Sequence, residues 1–449
     1  MTINKFLFVL VITAILLGSV PVSAASDYTL GIFGNANEDG AINMEDVECT
    51  GRIILGLDDQ TQLADAKYDG EVDILDVTQT ELIILGKEKE LTVDDGTGEA
   101  VTVEMPVKRI LVEYADNAEL VRILNAKDRV IAVDYLISET EIQFPELSKL
   151  PCVGNMFKPD YEAVLNVNPD LLLAFTKGID EKKEKLPGTA VVHLGLYYPD
   201  LFNPEESRFT DGVRKLGYLI DENEAAKVYI DWRIALINDI RSRTEELSED
   251  EKPRVFICSY GDIISGKKTF RTYAILDTLT QMSIAAGGKN IAEDLPEFIG
   301  PKNGITVDPE WLIEKDPEFI IIHAVRYTWG GSTMEPSHGY DEDDPGGVKE
   351  YLVDNLMSRP EMANITAVKT GNVYVMSGNF RNDASGGLVG TAYMARLFHP
   401  DLFANLDPEA IHQEYLTDFQ GLDYDLNEHG VFVYPPIETN NGLAGIPDR

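Results

Sequence analysis

The chain has 449 residues, 44% of them hydrophobic and 26% charged, an ordinary globular composition with length for roughly two to four domains. Its formal net charge of −39 is far from ordinary. It excludes nucleic acid and anionic membrane surfaces as partners, because both would be repelled, and it suits cation binding or a salty environment.

Residues 1–24 read as a secretory signal: Lys5, an apolar run from Phe6 to Leu17, then small residues leading to a cleavage site near Ala24. The run is short for a membrane span, and no second run of spanning length follows. The mature protein is expected to be exported and soluble. With no cysteine just after the cleavage site, a lipid anchor is not expected. Cys49, Cys152 and Cys258 are odd in number, far apart and without metal-type spacing. Each lies in or beside an apolar segment, which predicts buried free thiols.

Residues 27–90 contain a repeat with an offset of thirty: "NANEDGAINMED" (35–46) falls on "DAKYDGEVDILD" (65–76), and "DVECTGRIILG" on "DVTQTELIILG". Each unit predicts a loop and a short helix that stops at Gly56 or Gly86. In loop one, Asn35, Asn37, Asp39, Asn43 and Asp46 place side-chain oxygens at positions 1, 3, 5, 9 and 12. Ala41 offers its carbonyl at position 7 and Gly40 turns the chain at position 6. A hard cation is wrapped by about seven oxygens at this spacing, which predicts calcium. Loop two offers Asp65, Asp69, Glu71, Asp73 and Asp76 but carries Lys67 at position 3, an ammonium beside the ion unless it swings outward. A plain Asp/Asn-rich turn explains neither the glycine, nor the apolar Ile42 and Val72 at position 8, nor the duplication. On these residues the segment 33–90 resembles a type I dockerin. That resemblance implies a small all-α calcium-loop domain and a cohesin module as a possible partner.

Residues 91–106 alternate around Asp95-Gly96 and predict a β-hairpin linker. Residues 107–220 then read strand, helix, strand, with "PDLLLAF" and "TAVVHLG" as further buried strands. From 221 to 250 a helical pattern runs unbroken for about 25 residues, about 40 Å, with Tyr229, Trp232, Leu236, Ile240 and Leu247 on one face. A second α/β unit occupies 253–405 and an extension 406–449. Two Rossmann-like α/β lobes bridged by one long helix leave a cleft. An echo links the lobes: "YEAVLNVNPDLLLAF" (161–175) and "PEWLIEKDPEFIIIHA" (309–324) each place a Glu, Glu162 or Glu310, seven residues before a Pro.

"MPVKRILVE", "VGNMFKPDYEAVLNVNPDLLLAF", "VDPEWLIEKDPEFIII" and "MANITAVKTGNVYVMSG" together resemble the iron-siderophore and cobalamin class of solute-binding proteins of ABC transporters, across about residues 105–405. The resemblance implies a metal-chelate ligand between the lobes and docking to an ABC importer permease through Glu162 and Glu310, without catalysis.

In open α/β folds ligands sit beyond the carboxyl ends of the strands. Those ends nominate Tyr114, Asn155, Phe157 and Tyr198 in the first lobe, and Tyr260, Arg271, Arg326, Tyr327, Trp329 and Arg381 in the second. Asp116, Lys177, His193, Tyr197, His323 and Asn379 stand at the same ends. Aromatic faces with Arg forks suit a bulky anionic chelate. His193 and His323 offer a second reading, joint ligation of a metal from opposite lobes. No Cys-His pair or GxSxG element supports nucleophilic catalysis. A polysaccharide hydrolase of a cohesin complex is the rival reading, because dockerins usually carry such cargo.

Overall fold

The computed structural model of the chain describes residues 28–175, 178–197, 199–259, 269–325 and 338–448. The signal segment, Lys177, Tyr198, Tyr260, Arg326, Tyr327 and Trp329 lie outside the described residues.

In the repeat, Asn43 and Asp73 cap the helices Met44–Ile54 and Ile74–Ile84, and Asp46 and Asp76 close capping boxes onto the cap backbone. The unit does not stand apart from the body. Leu30, Ile32, Ile42 and Ile83 are buried in the same core as the first lobe. The Ile42 amide donates to the Tyr218 hydroxyl at 3.1 Å, and the Tyr28 hydroxyl donates to Asp211 at 2.5 Å. Both partners sit on helix Arg208–Leu219. The hairpin forms as strands Glu90–Asp94 and Ala100–Glu104, but it is no linker. Val93 bridges Ile32 on one side, and the Gly96 amide donates to the His193 carbonyl at 2.6 Å on the other.

The first lobe is a parallel sheet in the order Val130–Val133, Ile110–Val112, Leu171–Leu173, Ala190–Val192. These short strands are apolar throughout because helices cover both faces. The second sheet runs Lys289–Asn290, Arg254–Ser259, Phe319–Ala324, Val373–Ser377, then Val433–Tyr434 as an antiparallel edge. That edge strand belongs to residues 406–449, so the extension completes the second lobe.

The bridging helix is Asn223–Thr244, 22 residues, shorter than expected. Its buried face is Ala226, Tyr229, Ile230, Arg233, Ile237, Ile240 and Thr244, while Trp232, Leu236 and Leu247 are only half-buried. The face is rotated toward a charge. Arg233 donates to the carbonyls of Ser385 at 3.0 Å and Gly386 at 2.8 Å, with its guanidinium 4.4 Å over the Phe209 ring. Gly386 has φ +59°, and a Cβ there would stand 2.7 Å from Arg233 Nε, so both backbone and space require glycine. From the first lobe, the buried Glu119 accepts from the Ala384 amide at 2.6 Å, the Tyr415 hydroxyl at 2.7 Å and Gln143 at 2.5 Å. The turn 383–387 therefore joins both lobes, the bridging helix and the C-terminal segment.

All three cysteines are free, and only Cys258 is buried; Cys49 is half-buried and Cys152 exposed. Cys152 departs from expectation because its extended neighbour Val153 takes the inward position. Among the described residues no helix is long and apolar enough to cross a membrane.

Candidate functional site

The carboxyl ends of the first-lobe strands build an aromatic wall. Tyr114 follows strand Ile110–Val112 with φ +72°, a backbone strain tolerated where the surroundings fix it. Its ring lies 4.2 Å from that of Phe175, which is also 5.8 Å from Phe157 and 5.9 Å from Tyr197. Behind the wall, the buried Glu113 accepts from the Phe175 amide at 2.9 Å and from Lys182 Nζ at 2.5 Å. Burial pushes the carboxyls of Asp116 and Asp134 up to about 7. Asn155 is turned to local use: its Oδ1 accepts from the Phe157 amide at 2.9 Å.

The second lobe brings up two guanidiniums. Arg381 holds Asp277 in a two-point pair at 3.1 and 2.5 Å and stands 5.1 Å over Tyr197 of the first lobe and 5.7 Å over Tyr273. Burial alone would lower its pKa, and Asp277 carries it well above the ordinary value instead. Arg271 also lies 5.7 Å from the centre of the Tyr273 ring. Gly304, which pairs with Tyr273 on the neighbouring strand, leaves the room: a Cβ there would meet Arg271 Nε at 2.5 Å. The Tyr273 hydroxyl meets His323 Nδ1 at 3.2 Å. Burial drives the His323 imidazole well below its usual pKa, so it is neutral, and its Nε2 has no hydrogen-bond partner among the described residues.

Tyr114, Phe157, Tyr197, Arg271, His323 and Arg381 are thus brought to one region. His193 is not joined to His323. Its Nδ1 meets the Ala174 carbonyl at 3.4 Å, and a Cβ on Gly96 of the hairpin would stand 2.9 Å from its ring. Asn379 bonds Ser377 at 2.8 Å. Sequence reading missed Phe175, Tyr273 and Asp277. Phe175 ends the quoted strand "PDLLLAF", a signal that was available; the other two are placed by contacts across about a hundred residues of chain.

Glu162 and Glu310 occupy matching positions. Each is the exposed second residue of a seven-residue helix, Tyr161–Val167 or Pro309–Lys315, capped by Asp160 or Asp308. Each helix ends on a left-handed residue other than glycine, Asn168 (φ +45°) or Asp316 (φ +43°). Arg109 donates to the Asn168 carbonyl at 3.0 Å, and Arg254 to the Asp316 carbonyl at 2.8 Å. The turns that follow reverse the chain into the next strand, which sets both acids at the edge where the strands end.

In the calcium-type loops, Asn35 and Asn37 Oδ1 gather on the Asp39 amide at 3.2 and 3.0 Å. Asp46 is wholly buried and accepts from the amides of Asn37 and Asn43, with no ion pair to it among the described residues, and burial pushes its carboxyl up to about 6. A buried carboxylate without a counter-charge is costly, so loop one fits a hard cation. Loop two fits less well. Asp65 spends both oxygens on the amides of Asp69 and Gly70, while Glu71 is exposed. Lys67 does swing outward, its Nζ 3.6 Å from Glu90. Asn43 and Asp73 each commit one oxygen to capping a helix, at 2.7 Å. Among the described residues no three His, Cys, Asp or Glu are gathered to hold a metal; at the five side-chain ligand positions of loop one only Asp39 and Asp46 are acids.

A profile of the family described as periplasmic binding protein matches residues 110–379. An uncharacterized ABC transporter substrate-binding lipoprotein of Bacillus subtilis (strain 168), YvrC, is 22% identical over 321 residues, covering 70% of this chain and 87% of the relative. Among solved structures, the TroA-like periplasmic binding protein FepB from Veillonella parvula superposes with a TM-score of 0.62 at 18% identity, covering 78% of this chain and 99% of the other. The molybdate-binding protein MolA of Haemophilus influenzae follows with 0.57 at 17% identity, covering 74% and 99%.

Proposed function

Because this chain belongs to the family of periplasmic binding proteins, we propose that it captures an anionic metal chelate, of iron-siderophore or corrinoid type, between its lobes and hands it to an ABC importer permease. It is a binding component of a transporter and not an enzyme, which removes the hydrolase reading. One observation supports the choice of ligand: Arg381 over Tyr197 and Tyr273, and Arg271 over Tyr273, stand beside a neutral His323 whose Nε2 has no partner among the described residues. The guanidiniums supply charge for an anion, the rings supply flat apolar faces, and the imidazole supplies a donor to a metal edge. MolA, of similar fold, is described bound to an oxyanion, molybdate. The protein works outside the cytoplasmic membrane, and Glu162 and Glu310 dock it on the permease.

Fluorescence titration of the full chain with a ferric hydroxamate, a ferric catecholate and cyanocobalamin tests this. One chelate is expected to bind at micromolar or tighter affinity and to be weakened by Arg381→Met; binding of none of the three sinks the proposed ligand class.

Loop one supports a second reading, a calcium-held docking module. Asn35, Asn37, Asp39, the Ala41 carbonyl and Asp46 would hold the ion, whose charge offsets the buried Asp46 carboxylate. Met44 and Leu55, with their repeat mates Ile74 and Leu85, are exposed and form the face for a cohesin-type partner. Calorimetric titration with calcium is expected to show at least one site, lost in Asp46→Asn; an absence of heat in the wild type refutes it.

A further inference from the structure

The helices that carry Glu162 and Glu310 match in more than their acids. Position by position, Tyr161–Val167 and Pro309–Lys315 share one pattern: half-buried, exposed, half-buried, buried, exposed, exposed, half-buried. The fifth position is Leu165 in one and Ile313 in the other. Both are large aliphatic side chains left in water, 50% and 37% exposed. Each stands three residues after its acid, on the same helix face at about 5–6 Å.

One exposed leucine needs no explanation. Two aliphatics at equivalent places of a structural repeat, each beside an exposed acid on the same short helix, do. We propose that Leu165 and Ile313 are apolar anchors of the permease interface, one per lobe; this rests on reading Glu162 and Glu310 as docking acids. Each lobe then presents a two-point foot, a carboxylate that steers and an aliphatic group that holds. Rim charges add mostly encounter rate and orientation, whereas an apolar side chain seated in a pit slows dissociation. A partner that fits both feet repeats its own surface, a cationic patch with an apolar pit beside it, about an approximate two-fold axis. A permease dimer has that form.

The test uses the full chain and the host's importer in nanodiscs, comparing wild type with Leu165→Ser, Ile313→Ser, their double variant and Glu162→Gln/Glu310→Gln. Each single serine variant is expected to weaken binding by about tenfold, and the double by about fiftyfold or more. That loss persists at high salt, whereas the loss in the glutamine pair shrinks as salt screens the wild type. Leu165→Ile and Ile313→Leu should bind like wild type. Unchanged melting and chelate affinity in the serine variants guard against misfolding. Wild-type binding by the double serine variant, with loss in the glutamine pair, overturns the anchors and leaves the docking acids standing. Wild-type binding by both sets removes the docking reading and the anchors with it. Wild-type self-association that Leu165→Ser abolishes assigns the face to a second copy and also overturns the proposal.

Discussion

The ion pair behind the aromatic wall gives a sharp test of how the cleft is held. Glu113 and Lys182 are 2% and 1% exposed at the side chain, 2.5 Å apart, and Glu113 also fixes the Phe175 amide. Lys182→Met leaves a buried carboxylate with a single backbone donor, a change that costs about 3–5 kcal/mol. Replacing both, Glu113→Leu with Lys182→Met, removes the buried charge altogether. It leaves the Phe175 amide unmet, at about 1–3 kcal/mol, so the double variant should be more stable than the single. The pH dependence has a definite sign. Burial raises the Glu113 carboxyl and Lys182 pulls it down. Without the lysine it rises further, so stability is full below the ordinary carboxylate range and lost as pH rises through the folded value. Urea melts from about pH 4 to about pH 8 should show the deficit of Lys182→Met widening with pH, and that of the double variant, which lacks the raised carboxyl, narrowing instead. A double variant no more stable than the single, or a single whose deficit ignores pH, refutes a charge-neutralising pair. Chelate affinity should fall in the double variant, where Phe175 loses its anchor.

The Asp134 carboxyl, raised to about 7 by burial and with Oδ2 unpartnered among the described residues, should make stability fall as pH climbs from about 4 to about 7. Asp134→Asn should flatten that slope and melt higher than wild type at about pH 8; a lower melting temperature there contradicts the assignment. Arg271→Met and Arg381→Met should each weaken chelate binding by about 1–3 kcal/mol, and equal affinity by titration for both would remove the guanidiniums from the site. Lys67→Asp should give loop two a stronger calcium site by calorimetry, and an unchanged isotherm would mean that Asp65 and Asp76 stay committed to backbone amides.

What was legible in the sequence was whatever local periodicity writes. The buried strands, the thirty-residue repeat and the Glu–Pro echo could be read because their signals fit within a dozen residues. The bridging helix was legible as a helix but not in its orientation. Apolar spacing pointed to Trp232 and Leu236, whereas the buried stripe runs through Arg233, whose partners are carbonyls some 150 residues away. The same limit hid Glu113 with Lys182, and Glu119 with Tyr415: composition cannot mark a charge as buried until the fold supplies its partner. In the cleft, strand ends nominated Tyr114, Phe157, Arg271 and Arg381, but the rings that join them, Phe175 and Tyr273, are defined by one another's positions. The hairpin was visible and its role was not, because a segment packed on two neighbours reads like one that merely connects them.

The seam between the thirty-residue repeat and helix Arg208–Leu219 decides what a handle on this protein can do. A module on a flexible tether would let the lobes tumble behind whatever grips it. Here Ile42 reaches Tyr218, Tyr28 reaches Asp211, and the apolar side of the repeat is shared with the first lobe. The module is a bracket rather than a leash. A partner that clasps it also sets the compass bearing of the cleft and of Glu162, so the mouth either faces the membrane or does not, according to the angle of that grip.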